Sequence, residues 1–177
     1  MSRISRPTRI SAVATVQAMD LTQKERLADE LARAQPHIFA SFLVQQRLGV
    51  SLAKMDFLLD ILLIGFQAMK ESGQIWPLIT EDEQDRQMAR LVATVRFGDD
   101  LPRSLRGYAL RQYIETHPEK DLLAFVRSET AGWLQRVVPE ETDKFVVLAA
   151  LNFVNCIAYA SVPEQTKLAR RTQAPRL

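Results

Sequence analysis

Asp56 and Asp60 stand one helical turn apart inside a stretch, Ser51–Gly73, that is otherwise almost wholly apolar. Carboxylates at i and i+4 share a helix face, here with Leu63 or Ile64 and with Gln67. Inside a helical bundle such a pair can hold a metal, a cation or a partner arginine. A metal would need further ligands, and the Glu-x-x-His pairs that usually supply them are missing. The two histidines, His37 and His117, sit beside Pro36 and Pro118 at helix boundaries. The expectation is therefore a solvent-facing stripe, or acids paired with arginines such as Arg86, Arg90 or Arg106, because buried acids are rare unless paired.

A second polar series lies late in the chain. Asn152, Asn155 and Tyr159 follow i, i+3, i+7 along a helix that is otherwise apolar. Set opposite Asp56 and Asp60, they would complete a candidate polar core site of five residues, Asp56, Asp60, Asn152, Asn155 and Tyr159, suited to a small ligand. The alternative is a satisfied hydrogen-bond network in the core. Cys156 lies in the middle of the same helix, whereas a nucleophilic cysteine needs an electropositive, partly exposed place, so a structural thiol is expected.

The third candidate is a surface. Arg96, Arg103, Arg106 and Arg111 are interleaved with Tyr108 and Tyr113, and Arg103 and Arg106 lie at i and i+3. Such a patch can grip phosphate or an acidic partner face, or it can neutralise nearby Asp99 and Asp100. Leu43–Leu59 has the cadence of a helix-turn-helix with Gly49 at the turn. Its would-be recognition helix presents Asp56 and Asp60, which phosphate would repel. None of the common catalytic or nucleotide-binding motifs occurs, and six scattered glycines cannot build a phosphate cradle. No enzyme, cofactor or metal is expected.

The elements that must position these residues are helices. Hydrophobic periodicity is helical throughout, as in Leu27, Leu31, Ala34 and in Met88, Leu91, Val92, Val95, and no stretch alternates with period two. Capping boxes are read at Thr22–Glu25, Thr80–Glu83 and Thr116–Glu119, with Pro139 opening a last helix, Ser51 an N-cap and Gly73 a stop. These signals predict helices at 22–35 and 37–48 (or one helix kinked at Pro36), then 51–72, 80–97, 103–116, 118–136 and 139–161. The fold class is all-α: a single-domain bundle of six or seven helices, in which 51–72 and 139–161, apolar nearly all round, are central. Three charges in the first of these and the short length of the second argue against membrane spans.

At 177 residues, 47% hydrophobic and 25% charged, the chain has the balance of one globular domain. A single cysteine excludes an internal disulfide and fits a cytoplasmic protein. The net charge of +2 hides a division, because residues 1–19 carry three arginines and 167–177 four basic side chains, neither with an acid. That leaves 16 basic against 21 acidic side chains between them. The expected organisation is a basic tail at 1–20 without the apolar run of a signal peptide, a helical domain at 21–163, and a basic tail at 164–177. Trp76, Phe97, Tyr108, Tyr113, Phe125 and Trp133 also need cover, which favours pairing with a second copy. The functional expectation is a protein–protein adaptor, assembly or regulatory factor. A nucleic-acid accessory using the tails and the arginine patch comes second, and a small-ligand or metal-binding bundle third.

Overall fold

The computed structural model describes residues 2–160, and proline, glycine and capping side chains cut them into eight helices. These are α1 (Arg6–Gln17), α2 (Leu21–Ala34), α3 (Pro36–Arg47), α4 (Leu52–Glu71), α5 (Glu81–Asp100), α6 (Arg103–Thr116), α7 (Lys120–Leu134) and α8 (Asp143–Tyr159). The all-helical class is as expected, but the count of six or seven is too low. The additional helix is α1, inside the segment expected as a basic tail. Ser5 starts it by accepting from the Thr8 amide at 3.2 Å, and it buries Ala12 and Val16 against α4. The tail expected at 164–177 lies outside the described residues.

Several boundaries differ from expectation for identifiable reasons. Helix α2 begins on Asp20, not Thr22: the Asp20 carboxylate accepts from the Gln23 amide at 2.8 Å while the Gln23 side chain accepts from the Asp20 amide at 2.9 Å. That reciprocal pair is a capping box, and it leaves Thr22 and Glu25 inside the helix. At Pro36 the chain breaks into two helices, because the residue before proline is driven out of the helical region and Gln35 adopts φ −137°, ψ 64°. The Gln35 side chain then ties this corner to the α4–α5 loop, donating to Pro77 O and accepting from the Ile79 amide, each at 2.9 Å. Thr116–Glu119 is not a capping box. Helix α6 ends there, α7 starts at Lys120, and Glu119 is turned into the core. Helix α8 starts at Asp143 rather than Pro139. Ser51 and Thr80 do occupy N-cap positions, and Gly73 ends α4 with φ +66°, the left-handed conformation that glycine adopts without strain.

Helices α4 and α8 are central, burying eleven and ten residues against five or fewer for each of the others. They touch closely at Gly65, where an added Cβ would lie 2.4 Å from Phe153 Cε1. Helices α1, α2 and α3 cover α4, while α5 and α7 flank α8. Phe57 of α4 stacks on Trp133 of α7 with ring centroids 4.7 Å apart. Lys54, at the start of α4, is buried and reaches the start of α8, where it pairs with Asp143 and, at 3.1 Å, with Glu140, and donates to Val138 O at 3.0 Å. Burial alone would lower the Lys54 pKa, but the two carboxylates raise it; the same pairing overcomes burial at Asp143 and holds its carboxyl below the usual range.

Helix α5 corrects the expected face. Its buried residues are Gln84, Gln87 and Leu91, with Met88 packed partly buried against the core; of the apolar series Met88, Leu91, Val92 and Val95, only Val95 is exposed. Ser41 on α3 donates to the Gln84 side chain and Asn152 on α8 to Gln84 O, while the Gln87 amide pairs within α5, donating to Glu83 and accepting from Arg90. The two glutamines pack inward and Val95 is left 45% exposed. Among the described residues no helix is long and apolar enough to cross a membrane.

Candidate functional site

The five residues of the expected polar core site are not brought together. Asp56 is exposed, and half-exposed Asp60 pairs with Lys24 of α2 at 2.7 Å. The arginines considered as their partners are engaged elsewhere: Arg86 with Glu83, Arg90 over the Tyr159 ring at 4.5 Å, and Arg106 at the end of α5. The two acids are a wet edge of α4. Among the described residues no group of three or more His, Cys, Asp or Glu is arranged to hold a metal.

Asn155 and Tyr159 belong to a closed network. The Glu119 amide donates to His117 Nδ1 at 3.1 Å, so the ring proton sits on Nε2, which donates to Asn155 Oδ1 at 3.0 Å. Tyr113 OH donates to the same oxygen at 3.3 Å, and the Tyr159 ring stands edge-on to His117. Burial pushes the His117 pKa down and outweighs the opposing bonds to Asn155 and the Glu119 amide; burial likewise pushes Tyr113 up. The Glu119 carboxylate, 1% exposed, accepts from the Arg3 amide at 2.8 Å, the Ile4 amide at 3.2 Å and the Ser2 hydroxyl. Arg3 itself lies over the Trp76 ring at 4.3 Å and donates to Ala160 O at 3.0 Å and to Ile157 O, so its cation sits at the carbonyl end of α8. The N-terminal residues are thus clasped from both sides.

Asn152, one turn earlier, faces a different place. It lines a cavity of about 350 Å³ between α3, α4, α5 and α8, with Ser41, Gln45, Gln84 and Cys156 also at the wall. Its amide nitrogen donates to Gln84 O at 3.1 Å, while its oxygen has no partner among the described residues. Burial pushes the Cys156 thiol up to about 12, so it is a neutral wall group and a poor nucleophile. Gln45 and Gln84 were not legible as site residues, since glutamine in a charged helical run carries no distinguishing signal; only the i, i+3, i+7 spacing of Gln84, Gln87 and Leu91 hinted at an inward face.

The arginine patch occupies the α5–α6 pair. Arg96, Arg103 and Arg111 are exposed, but Arg106 donates to Leu101 O at 3.0 Å and Asp99 O at 2.8 Å, satisfying carbonyls at the α5 terminus. Phe97 and Tyr108 are 63% and 58% exposed. Phe97 lines a groove of about 430 Å³ whose walls include Leu91, Val95, Leu110 and Tyr113. No family model matches the chain, and neither does any curated protein or solved structure.

Proposed function

We propose that the protein is a non-enzymatic interaction module, an adaptor, assembly or regulatory factor, that pairs with a second copy of itself through α5 and α6. The observation that carries this reading is α6, a helix of 14 residues with no fully buried side chain and only Tyr113 and Ile114 packed in part against the core, lying beside exposed Val95 and Phe97. Helices draw most of their stability from burying an apolar face. A helix that covers only Tyr113 and Ile114, and those in part, next to exposed apolar side chains, is completed by a partner. The rim favours a copy as that partner, because Arg96, Arg103 and Arg111 share it with Asp99 and Asp100. A surface bearing both signs can be complementary to itself across a two-fold axis. Nucleic acid asks for one sign, and the two acids would repel phosphate, so that reading ranks second. The unreactive Cys156 thiol supports the non-enzymatic part, and a lone cysteine fits a cytoplasmic setting.

Light scattering at micromolar concentration tests the pairing. The expected mass is twice the 20.1 kDa of one chain, returning to 20.1 kDa in Phe97→Ser/Tyr108→Ser with helical circular dichroism unchanged. A wild-type mass of one chain at those concentrations refutes self-association.

A further inference from the structure

Among the described residues, four buried side-chain polar atoms have no hydrogen-bond partner in the protein: Arg9 Nε, Gln45 Oε1, Gln84 Nε2 and Asn152 Oδ1. Three of the four belong to residues lining the one cavity between α3, α4, α5 and α8. Gln84 and Asn152 are each 7% exposed. Native proteins pair the great majority of such atoms, so three around one space is a pattern that calls for a physical cause.

The other end of each amide is committed, which fixes what is left over. Gln45 Nε2 donates to Ser41 O at 3.2 Å, the Ser41 hydroxyl donates to Gln84 Oε1 at 2.7 Å, and Asn152 Nδ2 donates to Gln84 O at 3.1 Å. The atoms left without any partner are therefore two acceptor oxygens, Gln45 Oε1 and Asn152 Oδ1, and one donor nitrogen, Gln84 Nε2, with its two N–H groups. The remaining wall is largely apolar, with Phe42, Leu58, Leu62, Met88 and Phe153. Among the described residues no lysine, arginine or histidine lines it and its one carboxylate is exposed Asp85, while its thiol stays protonated. A carboxylate or phosphate would find no counter-charge there. An ammonium could donate but would leave Gln84 Nε2 unpaired. A primary carboxamide offers one N–H to each of the two free oxygens and a carbonyl oxygen to Gln84 Nε2, so it gives every unpartnered atom a bond.

We propose that this cavity is a binding site for a neutral small molecule with an apolar body and a carboxamide head. The head pairs with Asn152, Gln84 and Gln45, and the body lies among Phe42, Leu58, Leu62 and Phe153. The volume of about 350 Å³ falls at the small end of ligand sites. Val44 and Leu48, 42% and 46% exposed, place the mouth along the last turn of α3. The site is separate from the α5–α6 surface and does not depend on self-association.

The test uses benzamide, benzoate and toluene, which share a ring and differ only in the head group, followed by amide chemical-shift titration of the full chain at millimolar concentration. Benzamide is expected to shift resonances around Asn152 and Gln84 saturably, binding at least about tenfold more tightly than toluene, with benzoate inert. In Gln84→Met/Asn152→Leu the preference for benzamide over toluene should disappear while toluene still binds. Ala149→Phe, which fills the cavity from α8 and leaves the polar trio in place, should abolish binding of both, and Phe97→Ser/Tyr108→Ser should change nothing. The proposal is overturned if wild-type protein binds toluene as well as benzamide, if benzoate binds as well as benzamide, or if no probe gives a saturable shift.

Discussion

Two asparagines three residues apart on α8 live in opposite circumstances. The Asn155 oxygen accepts from His117 and Tyr113, and through His117 and the Glu119 amide it joins a cluster that reaches the first residues of the chain. Asn152 has one bond, to a carbonyl, and a free oxygen at a cavity wall. Both are buried on the same apolar helix, so burial does not separate them. What separates them is closure. An oxygen that accepts from two side chains outside its own helix fixes one arrangement around it, and one without a partner leaves a bond to be made by something else.

That difference has energetic consequences, and the largest is at Asn155. Replacing it with leucine strands the buried His117 N–H and deprives the Tyr113 hydroxyl of its acceptor, at an expected cost of about 3 kcal/mol. Asn152→Leu removes an oxygen that was already unpaired, and the ligand-free protein should change by no more than about 1 kcal/mol in either direction. Denaturant midpoints measured side by side decide the matter. Equal losses would mean that the two sites are equally structural and that the contrast is false.

The next effect is at Glu119, where the cluster meets the N-terminal residues. Glu119→Gln keeps the shape but replaces a charged acceptor of two backbone amides and a hydroxyl with a neutral one. Charge-assisted bonds of this kind are worth about 1.5–3 kcal/mol each in favourable cases, so a loss of about 2 kcal/mol is expected. The same substitution frees Ser2–Ile4 from their clasp, and trypsin should cut after Arg3 faster than in the wild type. Unchanged cleavage would show that burial of Ile4 alone holds the segment.

These residues also mark where the sequence is readable. Helices α4 and α8 are legible because they are apolar on nearly every face, and the Asn152–Asn155–Tyr159 stripe is legible because polar residues stand out there. Their partners are not. Glu119 three residues after Thr116 looks like a capping side chain, since nothing local reveals that its true partners, Arg3 and Ile4, are more than 110 residues away. Arg3, Arg6 and Arg9 without an acid look like a solvated tail, because Ile4, Ala12 and Val16 are too few to make α1 strongly amphipathic. Gln84 and Gln87 belong by composition to an outer face, and the partners that meet Gln84 inside, Ser41 and Asn152, are brought near only by folding.

The smallest effect, and the most specific to the closed cluster, is its response to protons. Unfolded, His117 titrates near its ordinary value of 6.5, and in the folded protein burial lowers it. Between those two values the unfolded chain binds a proton that the native chain refuses, so stability is complete above about pH 6.5 and declines as the pH falls toward the folded value. Protonating the native ring would put a second proton on Nδ1, which now accepts from the Glu119 amide, so the refusal has a structural cause. Asp143, held below 3.8, and Lys54, held above 10.5, titrate outside this window. Comparing wild type with His117→Gln between pH 5 and pH 7 isolates the effect, because groups common to both cancel. The wild type should lose stability on acidification relative to the variant, by less than Asn155→Leu or Glu119→Gln costs. A wild-type slope as flat as the variant's would mean that the proton enters the native ring freely, leaving the Asn155 cluster no more closed than its neighbour.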